Sequence, residues 1–227
     1  MSGFAVWRLR FINTNALRTH RKTMMRIFKD SPGGAMAQEY LIALGSNLGS
    51  DAGGPEQTIA AALRAMPSRG IVLRRVSRFF ATPCFPAGTG PDYVNACAAV
   101  RCTSGKETVN FLHKLHEIEA DFGRARAQRW GSRTLDLDLL AAGDEVLPDR
   151  KTWDRWHALP AEDQKRETPD RLILPHPRLH ERAFVLVPLN DVASHWMHPA
   201  LRQTVAELAA ALPEPFRREV VPIPNNL

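Results

Sequence analysis

Two aspartates separated by one residue, Asp136 and Asp138, form the pattern in this chain that most directly suggests chemistry. They lie in the run TLDLDLL, which is typical of a β-strand whose side chains alternate between two faces. The leucines then point into the core, and the two carboxylates share the other face about 6.6–6.8 Å apart along the strand. Because carboxylates aimed at one space repel each other, the pair predicts a bound cation, and Mg²⁺ prefers such oxygen ligands. The polar face of an edge strand is the alternative interpretation.

An arginine-rich loop precedes the aspartate strand. Four arginines and Trp130 fall between Gly123 and Thr134. One guanidinium group can donate two hydrogen bonds to the oxygens of a phosphate. A flexible loop can bring several such arginines over a bound polyphosphate. Arginines combined with a carboxylate-bound metal suit phosphoryl transfer, whereas a solvated loop that pairs with the aspartates is the alternative. The sequence has neither a P-loop nor the protein-kinase motifs, so nucleotide chemistry here would need another architecture.

The elements that must position these residues alternate between strands and helices. Apolar runs bounded by turn residues predict strands over 39–44, 71–82, 93–102 and 134–141, with a proline-rich loop at 83–92. Apolar residues at helical spacing predict helices over 55–66, 106–122, 182–192 and 201–212. The order β-α-β-β-α-β predicts an α+β fold, a single ferredoxin-like domain with additional C-terminal helices.

The formal charge of +6 is confined to the first 35 residues. These carry seven Lys and Arg and one acid, whereas the 23 bases and 23 acids that follow cancel. A neutral body lacks the main electrostatic term for nucleic-acid binding, so no nucleic-acid partner is expected; a basic binding arm is the alternative. No apolar stretch reaches 18 residues, so no membrane partner is expected. The three cysteines predict reduced thiols in a cytoplasmic protein, and we expect a monomer.

Domain boundaries follow from composition. Residues 1–36 are predicted to be a basic extension, disordered or not native, with an organelle address as the less favoured interpretation. Residues 37–227 are predicted to form one catalytic domain. Within it, the charge-dense stretch 148–171 predicts an inserted flap packed by its two tryptophans, because long loops in compact domains are functional or disordered. His195 and His198 are predicted to lie on the surface.

Four separated motifs occur in a fixed order between about residues 40 and 212. They are ALGSNLG at 43–49, Thr82-Pro83 with PDYVN at 91–95, GRxRxxRWGxRTLDLDLL at 123–140, and LPHPRLHERAF at 174–184. Together they resemble the 6-hydroxymethyl-7,8-dihydropterin pyrophosphokinase family of folate biosynthesis. The resemblance implies transfer of a diphosphoryl group from ATP to the pterin hydroxymethyl, with release of AMP. It also implies that two Mg²⁺ ions are bound. Ser132 stands where a proline is common in the family, and the 148–171 connection is longer than usual.

The resemblance also implies a role for each matching residue. Asp136 and Asp138 would hold the metal, and Arg124, Arg133 and Asp138 would act in catalysis. Nucleotide binding is implied for His116, Glu119, Arg126, Trp130, Arg133, Leu139, Arg171, His176 and Arg182. Pterin binding is implied for Thr82, Pro83, Phe85, Tyr93, Asn95 and Phe184. General physics agrees, since a flat pterin gains from two aromatic faces and its edge needs an amide that both donates and accepts.

Other functions stay open at the level of sequence. A different Mg²⁺-dependent nucleotidyl or phosphoryl transferase could use the same aspartate pair, and an inactive scaffold is a further possibility. The nucleotide product distinguishes the enzymes: AMP indicates diphosphoryl transfer, ADP phosphoryl transfer, and free diphosphate nucleotidyl transfer.

Overall fold

The computed structural model describes residues 38–84, 88, 90–103, 107–123, 134–160, 163 and 166–224. The predicted extension 1–36 lies outside these residues. Strands and helices follow one another as β1 (Glu39–Ser46), α1 (Pro55–Ala65), β2 (Ile71–Val76), β3 (Phe80–Thr82), β4 (Tyr93–Cys102), α2 (Thr108–Asp121), β5 (Asp136–Ala142), α3 (Arg150–Ala158), α4 (Ala183–Ala193), α5 (Val205–Ala211), α6 (Glu214–Arg218) and β6 (Val221–Pro222). The predicted α+β class is confirmed.

The strands form one antiparallel sheet in the order β5-β1-β4-β3-β6, with β2 also paired to β4. Strands β1 and β4 lie in its interior, which explains their nearly continuous apolar sequences. Both faces of the sheet are covered by helices. On one face, Ile59 of α1 and Leu115 of α2 pack against Ile42 and Leu44. On the other, Leu186 and Leu189 of α4 and Leu208 of α5 pack against Cys97 and Ala99.

The strand predicted over 71–82 is interrupted between Val76 and Phe80, so that part of the prediction is wrong. At the break, the Ser77 amide donates to the Cys97 carbonyl over 2.9 Å, and the Ser77 hydroxyl accepts from the Cys97 amide over 2.9 Å. A side-chain oxygen therefore takes the place of a main-chain carbonyl. The regular ladder ends here because this serine side chain accepts the hydrogen bond that the backbone would otherwise take.

The helix predicted over 201–212 begins later, at Val205. Thr204 caps it: its hydroxyl accepts from the Glu207 amide, and the Glu207 carboxylate accepts from the Thr204 amide. This capping box satisfies two amides that would lack helical partners, so the chain turns into the helix at that residue. Among the described residues, no helix is long and apolar enough to cross a membrane.

The stretch 148–171 contains helix α3, which the sequence did not predict as a helix. Trp153 and Trp156 are 1% and 6% exposed and pack with Ile173 and Ala200 in a third apolar cluster. The carboxylate of Asp149 caps the start of α3 by accepting from the Thr152 amide over 2.9 Å.

The prediction that His198 lies on the surface is wrong. Its side chain is 1% exposed. The ring packs edge-on against Trp153 and Trp196, and its Nδ1 accepts from the amides of Ala200 and Leu201 over 3.2 and 3.1 Å. Two main-chain donors and two aromatic walls bury this ring, whereas His195 is exposed as predicted.

Candidate active site

One row of residues crosses the sheet at the end where β1 finishes and β4 and β5 begin. Gly45 of β1 pairs with Asp136 on one side and with Asn95 on the other. Directly paired residues point to the same face of a sheet, so the carboxylate and the amide share a face on either side of a glycine. A Cβ at Gly45 would lie 3.1 Å from Asn95 Oδ1. The amide therefore occupies the space that a larger residue would fill.

The next row on the same face contains Asp138, which pairs with Ala43. Both aspartates are half-buried. Leu137, which lies between them, and Leu139, which follows Asp138, are 3% and 5% exposed and point into the apolar core on the other face of the sheet. Two carboxylates thus project from one strand into one partly enclosed space. Hard oxygen ligands in this arrangement fit Mg²⁺, which keeps waters and substrate oxygens as its remaining ligands. Because the Leu139 side chain belongs to the core, a nucleotide could contact this residue through its main chain.

Glu119 supports the aspartate strand from the α2 side. Its carboxylate is 1% exposed, and Oε1 accepts from the Leu137 amide over 2.9 Å. Leu137 lies between the two aspartates on β5, an edge strand, whose outward-facing amides have no neighbouring strand to pair with. The carboxylate therefore fixes the backbone between the two predicted metal ligands. His116, one turn earlier on α2, is half-buried.

The predicted pterin residues gather on the same face as the aspartates. Thr82 pairs with Tyr93, and Asn95 lies two residues farther along β4, so all three side chains project together. Asn95 Nδ2 donates to Thr82 Oγ1 over 2.7 Å in a buried position. Phe184, at the start of α4, packs against the cluster on this face. Tyr93 and Phe184 are both half-buried, and Pro83 is exposed beside Thr82.

The predicted phosphate-binding pair, His176 and Arg182, is also brought together. Burial, and next the charge on Arg182, holds the pKa of His176 well below its ordinary value of 6.5, so the ring is neutral. Its Nδ1 accepts from the Arg178 amide over 3.1 Å, which leaves the ring proton on Nε2. That nitrogen lies 3.5 Å from Nη1 of Arg182. Two donors this close suit a shared anionic oxygen.

The same arginine connects the predicted phosphate-binding residues with the predicted pterin-binding residues. The guanidinium carbon of Arg182 lies 5.9 Å from the ring centroid of Phe184. Arg171 is exposed, and its Nε lies 3.9 Å from a carboxylate oxygen of Asp170. Five residues predicted to act in the site lie outside the described residues: Arg124, Arg126, Trp130 and Arg133 of the arginine loop, and Phe85 of the proline-rich loop.

Reasoning from the sequence missed two residues that connect the end of β1 to the described residues just before β4 and β5. The Ser46 hydroxyl donates to the Thr134 carbonyl over 2.5 Å, which ties the end of β1 to the residues before β5. Asn47 Nδ2 donates to the Pro91 carbonyl over 3.3 Å, which ties the same turn to the approach to β4. In the sequence, the feature that could have indicated them is a pair of small polar residues at the end of a buried strand. In the structure, the side chains of both residues are buried.

Comparison with known proteins agrees with this geometry. The family model described as 7,8-dihydro-6-hydroxymethylpterin-pyrophosphokinase (HPPK) matches residues 41–194. The chain belongs to this family. The family's pyrophosphokinase from Pseudomonas aeruginosa is 35% identical over 181 residues, which cover 78% of this chain and 94% of that protein. The Haemophilus influenzae pyrophosphokinase is 34% identical over 168 residues, which cover 74% and 88%.

Members of the family also occur within larger proteins. The mitochondrial folate synthesis bifunctional protein of Arabidopsis thaliana is 34% identical over 174 residues, which cover 71% of this chain and 27% of that protein. The crystal structure of Plasmodium falciparum HPPK-DHPS superimposes with a TM-score of 0.52 at 13% identity, over 77% of this chain and 44% of that chain. This likeness shows the fold, and the chain spans less than half of that solved protein.

Proposed function

We propose that this protein transfers the diphosphoryl group of ATP to the hydroxymethyl oxygen of 6-hydroxymethyl-7,8-dihydropterin, giving the pterin diphosphate and AMP in folate biosynthesis. The observation that carries the proposal is the shared face at one end of the sheet. The acidic pair Asp136 and Asp138 projects there beside the buried amide of Asn95. Family membership supplies the class of reaction.

Each side of the site has chemistry that suits one substrate. Tyr93 and Phe184 are the aromatic residues that would enclose a flat pterin, and the Asn95 amide can both donate to and accept from its edge. His176 and Arg182 offer two N–H donors to a triphosphate oxygen. The remaining predicted nucleotide contacts come from His116, Glu119, Leu139 and Arg171, and from the arginine loop with Arg124, Arg126, Trp130 and Arg133.

In the proposed reaction, the pterin oxygen forms a bond to the β-phosphorus, and the bond from that phosphorus to the oxygen bridging the α-phosphorus breaks. AMP leaves with the bridging oxygen. Holding the two substrates in line supplies much of the rate enhancement, because little covalent chemistry is required of the protein. Asp138 is the candidate acceptor of the hydroxyl proton.

Two Mg²⁺ ions, held by Asp136 and Asp138, would neutralise charge on the phosphate oxygens. The half-buried position of both carboxylates supports this assignment, because partial burial strengthens attraction for a cation. Arg124 and Arg133 are proposed to stabilise the charge that develops during transfer.

Product identification tests the function. The purified protein is incubated with MgATP and 6-hydroxymethyl-7,8-dihydropterin, and the nucleotides are separated by chromatography. We expect equal amounts of AMP and pterin diphosphate. ADP would indicate phosphoryl transfer, free diphosphate would indicate nucleotidyl transfer, and no pterin-dependent turnover from folded protein would contradict the proposal.

The aspartates are tested in the same assay. Asp136→Asn and Asp138→Asn are expected to lower kcat/KM by roughly 10²- to 10³-fold, a loss typical of removing one electrostatic contact to a transition state. Asp144→Asn, an exposed aspartate in the turn after β5, is the matched control and should retain activity. Near-normal turnover by Asp138→Asn would remove that residue from both the metal site and catalysis.

The domain boundaries, the oligomeric state and the cellular location of the enzyme are also proposals. We assign the catalytic domain to residues 37–227, with residues 1–36 as an extension and 148–171 as an insertion. We further propose that the protein is monomeric and cytoplasmic. The mitochondrial plant relative makes targeting by residues 1–35 the alternative. Size-exclusion chromatography and cell fractionation test these points.

A further inference from the structure

Helix α3 is attached by its buried side to the segment that carries His176. The indole Nε1 of Trp153 donates to the Pro175 carbonyl over 2.7 Å, and this hydrogen bond is buried. Nδ1 of His157, one turn later on α3, lies 3.3 Å from the Pro177 carbonyl oxygen. These two carbonyls flank His176 in the chain, so α3 contacts the backbone on both sides of that residue.

The same segment is held on its other side by the strand that carries the aspartates. The His176 amide donates to the carbonyl of Leu140 in β5 over 2.8 Å. Leu147 and Leu174 exchange two main-chain hydrogen bonds of 2.8 and 3.2 Å. The peptide group that joins Pro175 to His176 therefore lies between α3 and β5: its carbonyl accepts from Trp153, and its amide donates to Leu140.

Packing makes α3 a rigid support. Trp153 is 1% exposed, and its ring stacks on His157 with centroids 4.7 Å apart and planes 14° from parallel. The ring of His157 in turn contacts His180, at 4.4 Å between centroids. A donor with one fixed position can determine where its acceptor lies, and such supporting contacts keep a binding site in its productive geometry.

We propose that Trp153 is a positioning residue for the nucleotide: it fixes the Pro175 carbonyl and thereby sets the distance between the His176 ring and Arg182. The inference rests on the proposed function, in which these two side chains contact the triphosphate. Without the indole N–H, a buried carbonyl loses its donor, and the backbone shifts to recover one. The affinity for ATP then falls. The pterin side should change less, because Thr82 and Asn95 belong to β3 and β4, which do not contact Trp153 through any of these hydrogen bonds.

Trp153→Phe tests the proposal, because it keeps an aromatic ring against His157 and removes the N–H donor. In initial-rate kinetics with the two substrates varied separately, the KM for ATP should rise roughly 3- to 10-fold, equivalent to about 0.7–1.4 kcal/mol. The kcat and the KM for the pterin should change less than about twofold. Trp156→Phe is the matched control, because it removes the second buried indole of the same helix and cluster. Its KM for ATP should stay within about twofold.

A measurement without substrates separates this inference from the proposed function. In ¹⁵N-histidine NMR spectra, with signals assigned by His176→Gln, the ring of His176 should show the Nε2–H tautomer. Trp153→Phe should shift those signals and Trp156→Phe should not. If the wild-type protein makes no pterin-dependent AMP but Trp153→Phe shifts the ring signals, the proposed function fails and the positioning contact stands.

Two kinetic results would overturn the inference: an unchanged KM for ATP in folded Trp153→Phe, or an equal rise in Trp156→Phe. If Trp153→Phe does not fold, His157→Phe takes its place, because it keeps the stacked ring and removes the nitrogen near Pro177. A rise of about 2- to 4-fold in its KM for ATP supports the inference, and an unchanged value overturns it.

Discussion

The side-chain amide of Asn95 donates a hydrogen bond to the hydroxyl oxygen of Thr82 over 2.7 Å. Both side chains are buried, and the strand pairing places them on the face that also carries the two aspartates. Because Nδ2 is directed at Thr82, the orientation of the amide is set before any ligand arrives. A preoriented amide can distinguish donors from acceptors on the edge of a heterocycle.

Thr82→Val should weaken pterin binding while leaving ATP binding intact. Valine has nearly the same shape but no acceptor, so a buried N–H loses its partner at a cost of about 1–2 kcal/mol. We expect the KM for the pterin to rise roughly 5- to 30-fold, measured by initial rates. Thr82→Ser, which keeps the hydroxyl, is the control. An unchanged KM in Thr82→Val would mean that Thr82 does not orient the amide.

Gly45→Ala should disturb the same amide from the other side. The new Cβ would lie 3.1 Å from Asn95 Oδ1, closer than ordinary contact, and the amide is held by Thr82. We expect a rise of roughly 10-fold in the KM for the pterin, because overpacking at a buried site costs about 1–3 kcal/mol. Gly54→Ala is the control: its Cβ would also lie at 3.1 Å, but from the end of the exposed, flexible Gln57 side chain. Equal effects from both substitutions would contradict this explanation.

Glu119 should stabilise the folded protein, because its carboxylate oxygen accepts a hydrogen bond from the Leu137 amide. Glu119→Leu leaves the Leu137 amide without its partner, and we expect the free energy of unfolding to fall by about 1–3 kcal/mol. Glu119→Gln keeps an oxygen at the same place and should lose less than about 1 kcal/mol. Urea denaturation of both variants measures the difference. Equal losses would show that the hydrogen bond to β5 is not what Glu119 contributes.

Acid should destabilise the protein through histidines whose pKa values are lowered by the fold. Burial, followed by the charge of nearby histidines, lowers the pKa of His180 to about 4 and of His198 to about 3. In the unfolded chain both titrate near pH 6.5. Below that pH the unfolded state binds more protons, so stability is complete above pH 6.5 and declines towards pH 4. Each histidine contributes a slope of up to about 1.4 kcal/mol per pH unit.

The variant His198→Asn tests this account, because its Oδ1 can accept from the amides of Ala200 and Leu201 as Nδ1 does, but asparagine does not titrate. Urea denaturation at intervals between pH 8 and pH 5 should show a shallower decline than in the wild-type protein. Exposed His195→Asn is the control for removing a histidine. A slope that His198→Asn leaves unchanged would assign the acid sensitivity to other groups.

Local patterns were enough to predict the α+β class and the shared face of Asp136 and Asp138. The alternation of leucine and aspartate around Asp136 depends on the two-residue period of a strand, which the sequence shows directly. The apolar spacing around Leu115 likewise predicted α2 on physical grounds. These features follow from neighbours in the chain, so the α+β class and the shared face of the two aspartates could be predicted without a structure.

Contacts between distant segments were decided by tertiary structure. His198 is buried because Trp153, from a distant part of the chain, covers a ring that the neighbouring Trp196 and the amides of Ala200 and Leu201 already contact. The break at Ser77 depends on the backbone of Cys97 in another strand. Sequence spacing therefore indicated the aspartate pair and the arginine cluster, and the resemblance to a known family indicated the other residues that could do chemistry in this protein. The register of the sheet and the packing of α3 decided which of them meet, because long-range pairing depends on the combined burial of all the elements.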